Sequence, residues 1–184
     1  MSKVGFIGLG IMGRPMAKNL LNAGVNLMVS DLNSDIVKEL TDLGAERGDY
    51  KTIGRECDTV ITILPNGSIV QDVLFGENGV IEGLSEGNVV CDMSSVTAAE
   101  SQTCHEKLAK KGIGFVDAPV SGGEPGAITG TLAIMCGGDQ EDFEKMAPYF
   151  DILGSSALLI GPTGSGSITK LANQVIVNLN IIAV

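Results

Sequence analysis

Short apolar runs alternate with amphipathic stretches from the first residues of the chain. Val4 to Leu9 is a run of strand length with no charged position, the pattern of a strand covered on both faces. Residues 11 to 23 then place Ile11, Met12, Met16, Leu20 and Leu21 on one side at helical spacing. Pro15 falls in the first turn of that helix, where a missing N–H is tolerated, and Gly24 marks its end. The same reading predicts strands at Asn26–Ser30, Thr59–Leu64, Val89–Met93, Gly114–Asp117, Thr131–Cys136 and Ala157–Ile160, with a short extended piece near Ala45. Helices are predicted at Ser34–Leu43, Lys51–Arg55, Ser68–Leu74, Ala98–Lys111 and Gln140–Tyr149. Strands and helices that alternate in short steps imply a doubly wound α/β sheet, mostly parallel.

Two stretches interrupt that rhythm. Pro119-Val120-Ser121-Gly122-Gly123 is a glycine-rich loop after a strand, and Gly161-Pro162-Thr163-Gly164 is the strongest boundary signal. Beyond it Ile168, Leu171, Ala172, Val175, Ile176, Leu179 and Ile182 repeat at helical spacing. The expected organisation is a domain over residues 1–161 followed by the start of a long interdomain helix over residues 162–184.

Gly8-Leu9-Gly10-Ile11-Met12-Gly13 reads G-x-G-x-x-G between the first strand and the first helix. In that context the pattern is the fingerprint of a Rossmann-type dinucleotide site. Gly8 permits a tight turn, Gly10 lets backbone approach a pyrophosphate, and Gly13 lets helix and strand pack closely. The helix start offers free N–H groups to the phosphates. Asp31 ends the second strand, where a carboxylate can accept hydrogen bonds from the adenosine ribose hydroxyls. The same charge repels a 2′-phosphate, and Leu32 and Asn33 supply no arginine to receive one, so NAD (NADH) is favoured and NADP is less suited.

Composition narrows the partners. The chain has 184 residues with 25 glycines, and its formal charge of −10 disfavours nucleic acid and anionic membrane surfaces. Four scattered cysteines and one histidine form no metal cage, and the expected state of the thiols is buried or half-buried and reduced, in a cytoplasmic protein. No apolar run reaches the length of a membrane span. His105 lies inside a predicted helix, is expected to face solvent, and is a poor catalytic candidate. Lys170 is different: it is the only basic residue in the last 39 and sits in an otherwise apolar helix, with Asn173 and Gln174 on the same face. By residue type alone it either snorkels at an edge or is held beside a cleft.

Four motifs in order resemble the N-terminal domain of the β-hydroxyacid dehydrogenase family, and the resemblance covers essentially the whole chain. They are Gly5-Phe-Ile-Gly-Leu-Gly-Ile-Met-Gly13, Asp92-Met-Ser-Ser95, Asp117-Ala-Pro-Val-Ser-Gly-Gly123 and Gly164-Ser-Gly-Ser-Ile-Thr-Lys-Leu-Ala-Asn173. The resemblance implies an oxidoreductase acting on a small carboxylate substrate, with Lys170 as acid/base. It implies that Ser121, Gly122 and Gly123 bind the substrate carboxylate, helped by Asn173, and that Leu64, Pro65 and Ser95 line the cofactor cleft with Gly8 to Gly13 and Asp31. Many relatives carry a second asparagine where this chain has Gln174, which leaves open which amide meets the substrate. It further implies a homo-oligomer, and a helical domain past residue 184 that covers the apolar face of the last helix; without that cover the helix is expected to fray or to pair with another copy. A non-catalytic dinucleotide-binding module is the alternative from a different class.

Overall fold

A computed structural model describes residues 3–183. Six parallel strands form its centre: β1 (Lys3–Ile7), β2 (Asn26–Ser30), β3 (Glu46–Arg47), β4 (Thr59–Thr62), β5 (Val89–Asp92) and β6 (Gly114–Asp117). Three more follow: β7 (Val120–Ser121), β8 (Leu132–Gly137) and β9 (Gly154–Gly161). The order across the sheet is β3-β2-β1-β4-β5-β6-β8-β7, with β9 on β8. Strand β8 runs antiparallel to β6 and β7, whereas β9 is parallel to β8. This is the doubly wound, mostly parallel sheet that the alternation predicts.

The helices are α1 (Gly13–Asn22), α2 (Ser34–Asp42), α3 (Tyr50–Glu56), α4 (Gly67–Phe75), α5 (Ala98–Ala109), α6 (Gly123–Thr129), α7 (Gln140–Leu153) and α8 (Ser165–Ala183). Alternate residues of each strand feed two cores. Val4, Phe6, Ile61, Cys91 and Val116 pack with Met16 and Leu20 of α1, Leu40 of α2 and Phe150 of α7. Their strand neighbours Ile7, Val60, Val90 and Phe115 pack with Ile53 of α3, Leu74 of α4 and Leu108 of α5. Period-two strands sandwiched between helices explain why the runs look continuously apolar in sequence.

Local chemistry sets the helix starts. Asn33 caps α2, its side chain accepting the N–H groups of Asp35 and Ile36, and Asp49 and Asn66 cap α3 and α4 in the same manner. Thr97 and Glu100 form a reciprocal capping box at α5.

The structure departs from the sequence reading mainly between residues 119 and 161. The glycine-rich stretch contains the short strand β7 and leads into the helix α6. Helix propensity over Gly123-Glu-Pro-Gly126 is poor, so tertiary contact decides it: Gly126 and Ala127 are buried, and Asn19 of α1 donates to the Ala127 carbonyl at 2.9 Å. Helix α7 runs through Pro148 to Leu153 because Phe150 and Leu153 are buried beyond the proline. Strand β9 consequently begins at Gly154, and a single 3-10 turn at Val80–Glu82 also escaped the pattern. Helix α8 leaves Ile168, Leu171, Val175, Ile176, Leu179 and Ile182 exposed. Among the described residues no helix is long and apolar enough to cross a membrane.

Candidate active site

The fingerprint glycines differ in what a side chain would meet. Gly8 closes β1 at φ +98°, a left-handed conformation, and a Cβ there would collide with the Ile63 carbonyl. At Gly13 a Cβ would collide with the Gly8 carbonyl oxygen, so helix and strand could not meet. Gly10 has open space where its Cβ would be, so no contact within the chain excludes a side chain there. That open face borders a cleft of 420 Å³ lined by Gly10, Ile11, Met12, Asp31, Leu64 and Pro65 among others. Glycine at this position suits a bound group that passes close to the backbone, and the turn, helix start and cleft together fit a dinucleotide.

Asp31 ends β2 at the rim of that cleft. One carboxylate oxygen accepts the Leu9 N–H at 2.5 Å and the other the Asn33 N–H at 2.8 Å. The carboxylate therefore braces the glycine turn, and each oxygen retains a lone pair for another donor. Leu9 itself does not line this cleft: its side chain is fully buried in the core and only its N–H faces Asp31. Tyr50 of α3 and Ile69 and Val73 of α4 complete the apolar wall and were not singled out in the sequence, because they lie outside any motif.

A second cleft, of 330 Å³, continues over the carboxyl ends of β4, β5 and β6 and shares Met12, Ile63, Leu64 and Pro65 with the first. Met93, Ser94, Ser95, Val120, Gly123 and Lys170 line the rest. Lys170, on α8, is half-buried, and its Nζ donates to Gln174 Oε1 at 2.9 Å. Burial holds its pKa below the ordinary lysine value. Asn173 bridges the two walls, its amide donating to Ser121 Oγ and to Gln174 Oε1, both at 3.3 Å. Gly122 (φ +139°) and Gly123 (φ +61°) follow Ser121 in backbone conformations that favour glycine.

Two buried carboxylates stand side by side under this cleft, at paired positions of β5 and β6. Asp92 accepts from Thr62 Oγ1, from the Ser94 N–H and from Ser94 Oγ, and Ser94 Oγ in turn accepts the Leu64 N–H at 2.8 Å. Asp117 accepts the N–H groups of Gly164 at 2.7 Å and Ser167 at 2.8 Å. Burial pushes both carboxyls above the usual carboxylate range, against the opposing pull of their hydrogen bonds. Both residues stood inside quoted motifs, but nothing in a linear sequence shows which loop a buried side chain holds.

A further cleft of 610 Å³ lies on the other side of the glycine turn, between α1, α2 and α6 against Arg14 and Lys18; it shares Gly10 and Ile11 with the 420 Å³ cleft and is not lined by Lys170. His105 does not face solvent as expected. It is half-buried on α5, and its Nδ1 is buried without a partner, because α5 lays that side of the ring against the body of the domain. All four cysteines are free and buried.

A parallel sheet with a glycine turn at the carboxyl end of its first strand defines a dinucleotide-binding domain. Residues 3–161 match the family described as the NAD binding domain of 6-phosphogluconate dehydrogenase. The chain is 44% identical over 183 residues to the 2-hydroxy-3-oxopropionate reductase of Escherichia coli (strain K12), covering 99% of this chain and 62% of that protein. It is 41% identical over 175 residues to the 3-sulfolactaldehyde reductase of the same organism, covering 95% of this chain and 59% of that one. Among solved structures, a Mycobacterium tuberculosis 3-hydroxyisobutyrate dehydrogenase with L-serine superposes with a TM-score of 0.93 at 29% identity, over 100% of this chain and 62% of the other. The chain belongs to this NAD-binding domain family, within the β-hydroxyacid dehydrogenases. It spans roughly three fifths of the length of these relatives.

Proposed function

We propose that the protein is an NAD-dependent reductase of small β-hydroxy acids, and that its substrate is tartronate semialdehyde (2-hydroxy-3-oxopropionate), which it converts to glycerate. The observation that carries this reading is Lys170. It is half-buried beside Ser95 and Gly123, tethered to Gln174, and one residue pair away from Ser121 through Asn173. Gly8, Gly10, Ile11, Met12, Gly13 and Asp31 would hold the cofactor at one end of the continuous cleft, and Leu64, Pro65 and Ser95 at the other. When bound, the reduced nicotinamide supplies the hydride. Ser121 Oγ and the N–H groups of Gly122 and Gly123 hold the substrate carboxylate, which fixes the aldehyde relative to Lys170. The ammonium of Lys170 stabilises the developing alkoxide and gives it a proton. Asn173, already bonded to Ser121, turns the same amide toward the substrate, while Gln174 orients the lysine.

The 44% identity to a reductase of this substrate supports the choice over sister activities on 3-hydroxyisobutyrate or succinic semialdehyde. Those would use the same groups. A panel of semialdehydes with NADH, run on the intact protein, separates them: tartronate semialdehyde should give the highest kcat/KM. Lys170→Ala should leave NADH affinity nearly unchanged and lower kcat by at least ~10²-fold, the usual scale for a lost acid/base group. A fall of less than about tenfold would assign the proton to another donor. We also read the exposed apolar face of α8 as belonging to a homo-oligomer, which sedimentation of the intact protein tests.

A further inference from the structure

We infer that Asp117 is a positioning residue for Lys170, the side chain that locks the lysine helix onto the strand leading to the substrate loop. The inference rests on the reading of Lys170 as acid/base and adds the group that sets where the lysine stands. Asp117 is the last residue of β6 and is 1% exposed. Its backbone continues through Ala118, Pro119 and Val120 to Ser121, so it anchors one wall of the proposed site. Its side chain reaches the other wall. One oxygen accepts the N–H of Gly164, the residue just before α8, and the other that of Ser167 in its first turn, and neither N–H has a partner within the helix. Lys170 lies three residues past Ser167, on the next turn. The relative position of Ser121 and Lys170 is thus set by one buried carboxylate.

The surroundings enforce the contact. A Cβ at Gly166 would collide with the Met135 carbonyl and approach the Asp117 carbonyl, and a Cβ at Gly137 would meet Asp117 Oδ1 and the Gly166 N–H. The helix start therefore sits directly on β6 and β8, with room for backbone only. Ser101 of α5 adds a lateral tie, its hydroxyl 3.0 Å from that of Ser167. Because Asp117 uses both oxygens as acceptors, its amide isostere cannot replace it: an Asn NH2 would face an N–H in either orientation. One helix amide would be left unpaired in a buried place, and the first turn of α8 would shift. A small displacement of a proton donor is enough to cost a large factor in rate.

The test is Asp117→Asn in the intact protein, read beside Asp142→Asn. Asp142 is a half-buried carboxylate packed at Gly114, the other end of the same strand, and touches nothing in the cleft. For Asp117→Asn we expect NADH affinity within about twofold of the parent, and kcat lower by about tenfold or more. The alkaline limb of kcat should move toward the ordinary lysine value as Lys170 gains solvent. Asp142→Asn should leave kcat and that limb in place even where it lowers Tm. Unchanged kcat in Asp117→Asn, or losses in the two variants that simply follow Tm, would overturn the inference. If Asp117→Asn does not fold, amide exchange in the parent decides: Gly164 and Ser167 should exchange slowly, and rapid exchange at both sinks the clamp. Absence of turnover in the parent protein would instead count against the proposed reaction, and the exchange result would still judge the clamp.

Discussion

Asp31 and Lys170 show how much a single side chain's surroundings alter its reading. Asp31 was recognisable from its distance to the glycine turn, but its bond to the Leu9 N–H means that it shapes the turn as well as facing the cleft. Its charge should still repel a 2′-phosphate. Titration with both reduced cofactors should show tighter binding of NADH, and Asp31→Ser should narrow the gap while weakening NADH, because the turn loses its brace. Equal or tighter NADPH binding by the parent would refute the cofactor assignment. For Lys170 the sign of the pH effect follows from desolvation, which lowers its pKa from 10.5. Reduction requires the ammonium, so kcat in the reductive direction should fall as pH rises, with a midpoint below 10.5. The same shift means that the folded chain binds fewer protons than the unfolded one in that window. Lys170 therefore lowers stability at neutral pH, and that cost is relieved as pH rises through the window.

Elements owe their boundaries to local caps and their persistence to packing between distant parts of the chain. Helix α5 begins where Thr97 accepts the Glu100 N–H while the Glu100 carboxylate accepts from Thr97. Thr97→Ala should cost about 1 kcal/mol, measured as a lower urea midpoint at unchanged slope. Loss of less than a few tenths would show that burial of Cys104 and Leu108 holds the helix without its cap. Helix α6 is the opposite case. Its glycines and proline give it no intrinsic tendency, so its existence depends on Ala127 against α1 and on the Asn19 bond. That is why the segment from Pro119 read as a loop.

At the scale of the whole molecule, the two cores close around every thiol. Burial pushes Cys57, Cys104 and Cys136 up to about 12, and Cys91 well above its ordinary range. A thiol reagent at pH 8 should therefore react with none of the four in the native chain and with all four in denaturant. Fast labelling of any one would mean that its part of the sheet opens locally. The sequence alone determined the α/β class, a doubly wound and mostly parallel sheet, and the glycine turn. Those features arise from local periodicity and from spacing within one strand–turn–helix unit. It also singled out Lys170, Ser121 and Asn173, although it could not show that Asn173 reaches Ser121 across 52 positions. Only the tertiary structure decided helix α6, the half-burial of His105, the linkage of Gln174 to Lys170 and the grip of Asp117 on α8. Helix α6 and the grip of Asp117 depend on groups far apart in the chain meeting in a dry place, where an unpaired polar atom is costly, and the other two depend on how a helix face lies against the domain.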